Sequence, residues 1–288
     1  MLPAATRRAA RFVPLLVDKV DTGLRTQSPD RRSTGWPRVL RVSSEPLRGP
    51  SSAGGADSPD AARTLGYRPD TGESITTAVF DLGAVLIDWN PRYVFRSMFA
   101  DEAAMEHFLA TVCTPAWNAE QDRGRTLAEA TAILVAQHPE HAELIEAYYG
   151  RWDEMVGDPI AGTVELVRQL KAAGVRLVAL SNWSAETFPR VRPRLGFLDD
   201  FDAVLVSGSV GLIKPDPAIY LLLIDRHAVD VQHSMFVDDS TRNVEAAAEL
   251  GFDAIHFQSP EQLGEELRRR GLIAPVDSGA AGGVEGDE

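Results

Sequence analysis

Hydrophobic and polar positions fall into two alternating rhythms over most of the chain. Residues 76–80 are a short β-branched and apolar run that stops at Asp81, the pattern of a strand buried on both faces. Runs of the same kind at 175–180, 203–206, 234–237 and 254–257 predict four more strands. Between them apolar residues recur every three or four positions. Val164, Leu166, Val167 and Leu170 mark a helix over about 160–173 that Gly174 stops, and similar spacing predicts helices over about 217–227, 241–250 and 260–270. From about 91 to 157 the patterning is helical, with Leu109, Leu127, Ile133, Leu144 and Tyr148 among its apolar positions.

Short apolar strands alternating with helices predict an α/β fold, a doubly wound, Rossmann-like parallel sheet covered on both faces. The helical stretch after the first strand is too long for a simple crossover, so residues 92–158 are expected to be an inserted helical domain. Residues 75–91 and 159–275 then form the core. Residues 1–74 are rich in Arg, Ser, Pro and Gly without sustained apolar periodicity and read as a disordered extension, and 276–288 read as a disordered acidic tail. In such sheets ligands sit beyond the carboxyl ends of the strands. Polar residues stand at those ends four times: Asp81, Ser181 with Asn182, Lys214, and Asp238 with Asp239.

Charge narrows the possible partners. The net charge of the 288 residues is −13. Residues 1–75 carry a local excess of 4 positive charges, so the remainder carries −17. An acidic body of that kind cannot displace counterions from nucleic-acid phosphates, which excludes sequence-independent nucleic-acid binding. No run approaches the roughly 18 apolar residues of a membrane helix. One cysteine, Cys113, excludes an internal disulfide framework and a multi-Cys zinc site, as suits a reducing cytoplasm. The expected partner is a small molecule, with the protein a monomer or homodimer.

Each strand-end residue taken alone has an ordinary structural explanation as a turn former, cap or solvated side chain. Three carboxylates, a lysine and a hydroxyl on one rim concentrate costly charge, which a divalent cation relieves and a phosphate completes. Residues 80–86, Phe-Asp-Leu-Gly-Ala-Val-Leu, resemble the first motif of the haloacid dehalogenase-like hydrolases. Leu180-Ser181-Asn182 resembles their second motif, Lys214-Pro215 the third, and residues 236–243, Phe-Val-Asp-Asp-Ser-Thr-Arg-Asn, the fourth. The helical insert then resembles the family's C1-type cap, and residues 80–91 with 120–124 resemble its bacterial phosphatases of the glucose-1-phosphatase type.

The resemblance implies Asp81 as nucleophile toward phosphorus, forming an aspartyl-phosphate. It implies Mg²⁺ held by the Asp81 carboxylate, the Gly83 carbonyl and Asp239, with Asp238 a further or water-mediated ligand. Ser181 and the Asn182 amide would hold phosphoryl oxygens, and Lys214 would offset the charge of Asp81 and the phosphoryl group. In the cap, Arg92 and Arg123 are candidate substrate contacts beside Arg96, Trp117, Glu120, Asp122 and Arg125, and Trp183 either faces substrate or packs beneath the cap.

The chain departs from the family pattern at Gly83, where most such phosphatases carry a second aspartate as general acid and base. Asp88 is one candidate substitute. The phosphatase subgroup named above also has glycine there. The alternative reading is a metal-independent 2-haloacid dehalogenase, which the missing aspartate and Tyr220, six residues after Lys214, favour. Asp238 and Asp239 oppose it, because two carboxylates without a cation would repel both nucleophile and a carboxylate substrate. A low-activity binding protein is a third reading.

Overall fold

The computed structural model describes residues 74–275. The readings of the N-terminal extension and of the acidic tail fall outside the described residues. The chain enters through β1 (Thr77–Phe80) and, after a tight loop, β2 (Ile87–Trp89). Six helices follow: α1 (Arg92–Phe95), α2 (Glu102–Thr111), α3 (Pro115–Asp122), α4 (Leu127–Gln137), α5 (Ala142–Gly150) and α6 (Trp152–Met155). The chain returns through β3 (Val156–Pro159), which pairs antiparallel with β2. It then alternates: α7 (Ala161–Ala172), β4 (Arg176–Ser181), α8 (Phe188–Val191), β5 (Ala203–Val206), α9 (Pro217–His227), β6 (Ser234–Asp238), α10 (Thr241–Glu249), β7 (Asp253–His256) and α11 (Pro260–Arg269).

The five longer-range strands form one parallel sheet in the order β5-β4-β1-β6-β7, with Phe80 opposite Ala179 on one side and Val237 on the other. The chain leaves β1 toward β4 and β5, then crosses back to β6 and β7, so the winding reverses at β1. That reversal opens a crevice beyond the carboxyl end of β1, the usual ligand position in such a sheet.

Strand side chains alternate between two cores, as a period of two requires. Ala78, Phe80, Leu177, Ala179, Met235 and Val237 share one with Val167 and Leu170 of α7 and Leu263 and Leu267 of α11. Val79, Val178, Leu180 and Phe236 face the other, against Ile219, Tyr220 and Leu223 of α9 and Val244 and Ala247 of α10. Local signals fix the helix ends. Asp216 caps α9 by accepting from the Ala218 amide ahead of Pro217, and Ser259 caps α11 ahead of Pro260. Gly174 ends α7 with φ +83°, a left-handed conformation that glycine adopts freely.

The sequence reading missed the β2–β3 ribbon, folding residues 156 and 157 into the helical stretch. The two strands are short, and their close approach depends on Gly157, where an added Cβ would stand 3.1 Å from Asp88 Oδ2. The 3₁₀ turns Arg192–Arg194 and Gly196–Asp200, with α8 before them, were not predicted either. Pro189, Pro193 and Gly196 break any periodicity there.

Candidate active site

Asp81 follows the last residue of β1, and its amide donates to Val237 O at 2.9 Å, so the neighbouring strand still holds its backbone. The chain then doubles back: Leu82 O accepts from the amides of Leu86 and Ile87, and Ala84 takes a left-handed conformation at φ 57°. This turn lets the Leu82 amide donate to Asp81 Oδ1 at 2.7 Å. Lys214 Nζ lies 2.9 Å from the same oxygen. Oδ2 makes no hydrogen bond to another described residue, and Asp81 lines the cavity at the sheet's edge. One oxygen is therefore held while the other remains available. Burial pushes the Asp81 carboxyl above the ordinary carboxylate range, Lys214 pulls it back, and Asp238 pushes it up again.

Lys214 is 2% exposed. Besides Asp81, its ammonium reaches Asp238 Oδ2 at 2.7 Å and Leu180 O at 2.8 Å. Burial opposes its charge, but Asp81 and Asp238 outweigh that and raise its pKa, so it is a cation at all working pH. All three ammonium protons are thus committed, and Lys214 acts on anything in the cavity through its charge. Its backbone is clamped to β4: the Asn182 side chain donates to Lys214 O at 3.0 Å and accepts from the Lys214 amide at 2.8 Å. The Asn182 side chain is therefore a brace, and only its backbone remains for a ligand. Ser181 is buried beside it, and its hydroxyl bonds to no other described residue.

Asp238, the last residue of β6, spends both oxygens internally. Oδ2 takes Lys214, and Oδ1 accepts from the Ser240 amide and Asn243 Nδ2, each at 2.9 Å. Asp239 is exposed at the mouth of the cavity; partial desolvation of its carboxyl by the surrounding site and the charge of Asp238 raise its pKa, against the pull of Lys214. One oxygen from each of Asp81, Asp238 and Asp239 falls within 4.8 Å of the others. Hard carboxylate oxygens at this spacing, three negative charges against one ammonium, fit a magnesium-sized divalent cation. Asp81 and Asp239, with the Gly83 carbonyl on the same cavity, are the groups placed to hold it, and Asp238 positions Lys214.

The cavity measures about 220 Å³. Asp81, Gly83, Ser181, Asn182 and Asp239 form its core side, with Trp183. Trp183 packs and faces the cavity at once: it is buried, and its indole N–H donates to Thr187 Oγ1 at 3.0 Å. The insert supplies Asn118 and Asp122, and Trp89 and Trp152 meet at a centroid distance of 5.4 Å. Among the described residues that line it, none is Arg, Lys or His.

Several expected residues lie elsewhere. Arg92 is held outside the cavity by a two-pronged ion pair with Glu106, its second nitrogen 2.6 Å from Oε2. Arg123 is exposed and lines no part of the cavity. Asp88 accepts from the Tyr93 hydroxyl, away from the cavity. Tyr220 is fully buried in the second core, where its hydroxyl donates to Asn243 O at 3.0 Å. The sequence reading gave Asp122 no more weight than its charged neighbours. Its place at the last position of α3, where the helix dipole disfavours a carboxylate, was the available signal. Trp89 and Trp152 gave none beyond being apolar.

A family model described as haloacid dehalogenase-like hydrolase matches residues 75–251. The sesquiterpene phosphatase astK of Aspergillus oryzae is 27% identical over 193 residues, which cover 67% of this chain and 94% of that protein. An (S)-2-haloacid dehalogenase of Pseudomonas putida is 32% identical over 109 residues, 38% of this chain and 48% of its own length. The crystal structure of a HAD family enzyme from Bacteroides thetaiotaomicron covers 68% of this chain and 100% of its own, with a TM-score of 0.56 at 21% identity. The same enzyme has been solved in complex with magnesium and inorganic phosphate, with a TM-score of 0.50 at 22% identity and coverage of 65% of this chain and 96% of its own.

Proposed function

This chain belongs to the haloacid dehalogenase-like hydrolases, and from that premise we propose that it is a Mg²⁺-dependent phosphatase of a small phosphorylated metabolite. The observation that carries the reading is the charge around Asp81: two further carboxylates, Asp238 and Asp239, within reach of the nucleophile. A haloacid is itself a carboxylate, and a cavity lined by Asp81, Asp122 and Asp239, with no cationic side chain lining it among the described residues, would repel it. Tyr220, the residue that favoured dehalogenation, is core. The phosphatase activity named for the Aspergillus relative and the magnesium and phosphate held by the Bacteroides enzyme support the same choice.

On this reading the free oxygen of Asp81 attacks phosphorus while Leu82 and Lys214 hold the other oxygen in place. Bound between Asp81, Asp239 and the Gly83 carbonyl, Mg²⁺ would offset the negative charge that the carboxylates and phosphoryl oxygens bring together. Ser181 Oγ and the Asn182 amide offer donors to the phosphoryl oxygens, and the buried Lys214 contributes charge in a site of low dielectric. The aspartyl-phosphate is sheltered by the insert until water enters. Among the described residues no cationic side chain lines the insert side of the cavity, which favours an uncharged, hydroxylated or ring-bearing leaving group over one with a second anionic group. Sugar phosphates are the first class to test.

The test is phosphate release from p-nitrophenyl phosphate, sugar 1-phosphates and sugar 6-phosphates, with Mg²⁺ and with EDTA, beside Asp81→Asn. A parallel arm with L-2-chloropropionate measures chloride. Mg²⁺-dependent phosphate release that Asp81→Asn abolishes is the expected result. Chloride release that survives EDTA would make the protein a dehalogenase.

A further inference from the structure

We propose that Asp122, from the insert, is the proton-transfer residue of this site, acid toward the leaving group and base toward the hydrolytic water. The proposal rests on the phosphatase reading and supplies the group that Gly83 lacks. When Asp81 attacks, the bond from phosphorus to the leaving oxygen breaks and that oxygen takes the proton of the Asp122 carboxyl. Water then attacks phosphorus, gives a proton to the Asp122 carboxylate, and the Asp81–phosphorus bond breaks. Both aspartates return to their starting states, and the net reaction is ester plus water to alcohol plus phosphate.

Position is the first argument. Asp122 lines the same cavity as Asp81 and enters it from the insert, whereas Asp81, Ser181 and Asn182 enter it from the core. It is 8% exposed. Its side chain accepts from Asn118 Nδ2 at 3.1 Å, and Asn118 Oδ1 in turn accepts from the Tyr149 hydroxyl at 2.9 Å. Its carbonyl accepts from Ser207 Oγ at 2.6 Å, and the Ser184 amide hydrogen-bonds its carboxyl. Ser184 and Ser207 lie on core loops after β4 and β5, so the core itself holds this residue of the insert at the cavity that Asp81 lines.

Cost is the second argument. A buried carboxyl at the end of a helix is disfavoured by burial and by the helix dipole together, and no described cation forms an ion pair with it. Burial pushes its pKa up to about 7, with the Ser184 amide pulling down and the charge of Asp81 pushing up. A group poised there both gives and takes a proton near neutrality. Besides Asp81, the titratable groups that act on it are Tyr148 and Tyr149 of α5, both pushed up by burial and neutral, while Arg125 is turned to Gln121 Oε1. Asp88, the other candidate, is tied to Tyr93.

Asp122→Asn keeps the size and one acceptor oxygen but removes the transferable proton. With the sugar phosphate that the wild type hydrolyses fastest, kcat is expected to fall about 10²–10⁴-fold. With p-nitrophenyl phosphate, whose phenolate leaves without a proton, the variant is expected to release one burst of nitrophenolate per enzyme and then stall at the aspartyl-phosphate. Gly83→Asp in the Asp122→Asn background tests rescue, because a Cβ at Gly83 meets nothing within 4 Å. Recovery of sugar-phosphate turnover would show that a proton donor, and not a packing contact, was lost. Turnover of Asp122→Asn within threefold of wild type, or equal losses on both esters with no burst and no rescue, would overturn the proposal while leaving the phosphatase reading intact. A wild-type enzyme that releases no phosphate from any ester would remove both.

Discussion

Replacing Lys214 by methionine isolates the electrostatics of the site, whatever its substrate. The substitution keeps the buried stem and removes the ammonium that touches Asp81, Asp238 and Leu180 O. Breaking a buried pair typically costs about 3–5 kcal/mol, because the remaining charge has no partner. The loss has a ceiling, since the folded variant can protonate a stranded carboxyl instead. That proton costs about 1.4 kcal/mol for each pH unit above the ordinary carboxyl pKa of 3.8. The ceiling per carboxyl is therefore about 2 kcal/mol near pH 5 and about 6 kcal/mol near pH 8. Burial already raises the folded-state pKa of Asp81 and the ammonium no longer lowers it, so the variant keeps its stability at low pH and loses it as pH rises through that raised value. Urea unfolding of both proteins across this range should show a destabilisation that grows with pH. Adding Asp238→Asn to the variant should recover part of the loss by removing one stranded charge. A loss that is the same at pH 5 and pH 8 would show instead that Lys214 matters for packing and not for charge.

Two further outcomes follow from the same geometry. Ser207→Ala removes the 2.6 Å bond to Asp122 O and leaves the Trp183 amide without its 2.9 Å acceptor, so unfolding should become easier by about 1–3 kcal/mol. Hydrogen exchange should rise in α3 before it rises in the sheet; protection unchanged in α3 would show that this bond does not anchor the insert. Cys113 is buried and burial pushes its pKa to about 12, so a disulfide reagent near pH 8 should react only after denaturant is added. Prompt reaction with the native protein would contradict that packing.

The sheet was legible because its strands are buried on both faces and therefore written as continuous apolar runs, and α9 fell on the predicted residues 217–227 because Asp216 and Pro217 mark its start. Asp81, Ser181, Asp238 and Asp239 were legible for a related reason: in a parallel sheet the polar residues at the carboxyl end of each strand land on the ligand rim, and Lys214 follows in the loop after β5. What each residue does there was harder to read. Nothing local shows that the Asn182 side chain braces Lys214, or that Asp238 spends both oxygens on Lys214, Ser240 and Asn243, because those partners are distant in sequence. The insert was least legible. Its inner face is aromatic and polar together, with Gln121 and Asp122 buried while Arg92 and Arg123 are not, so hydrophobic periodicity points away from the residues that line the cavity.

The central claim is that Asp81 becomes phosphorylated during turnover. The most direct measurement is to quench the enzyme with acid during hydrolysis of p-nitrophenyl phosphate, reduce with borohydride, and locate the product by peptide mass spectrometry. An acyl phosphate on Asp81 is reduced to homoserine, so that mass change is expected at position 81, dependent on Mg²⁺ and absent after EDTA. Steady phosphate release with residue 81 unmodified throughout would contradict it, as would an ester on Asp81 formed from L-2-chloropropionate in EDTA.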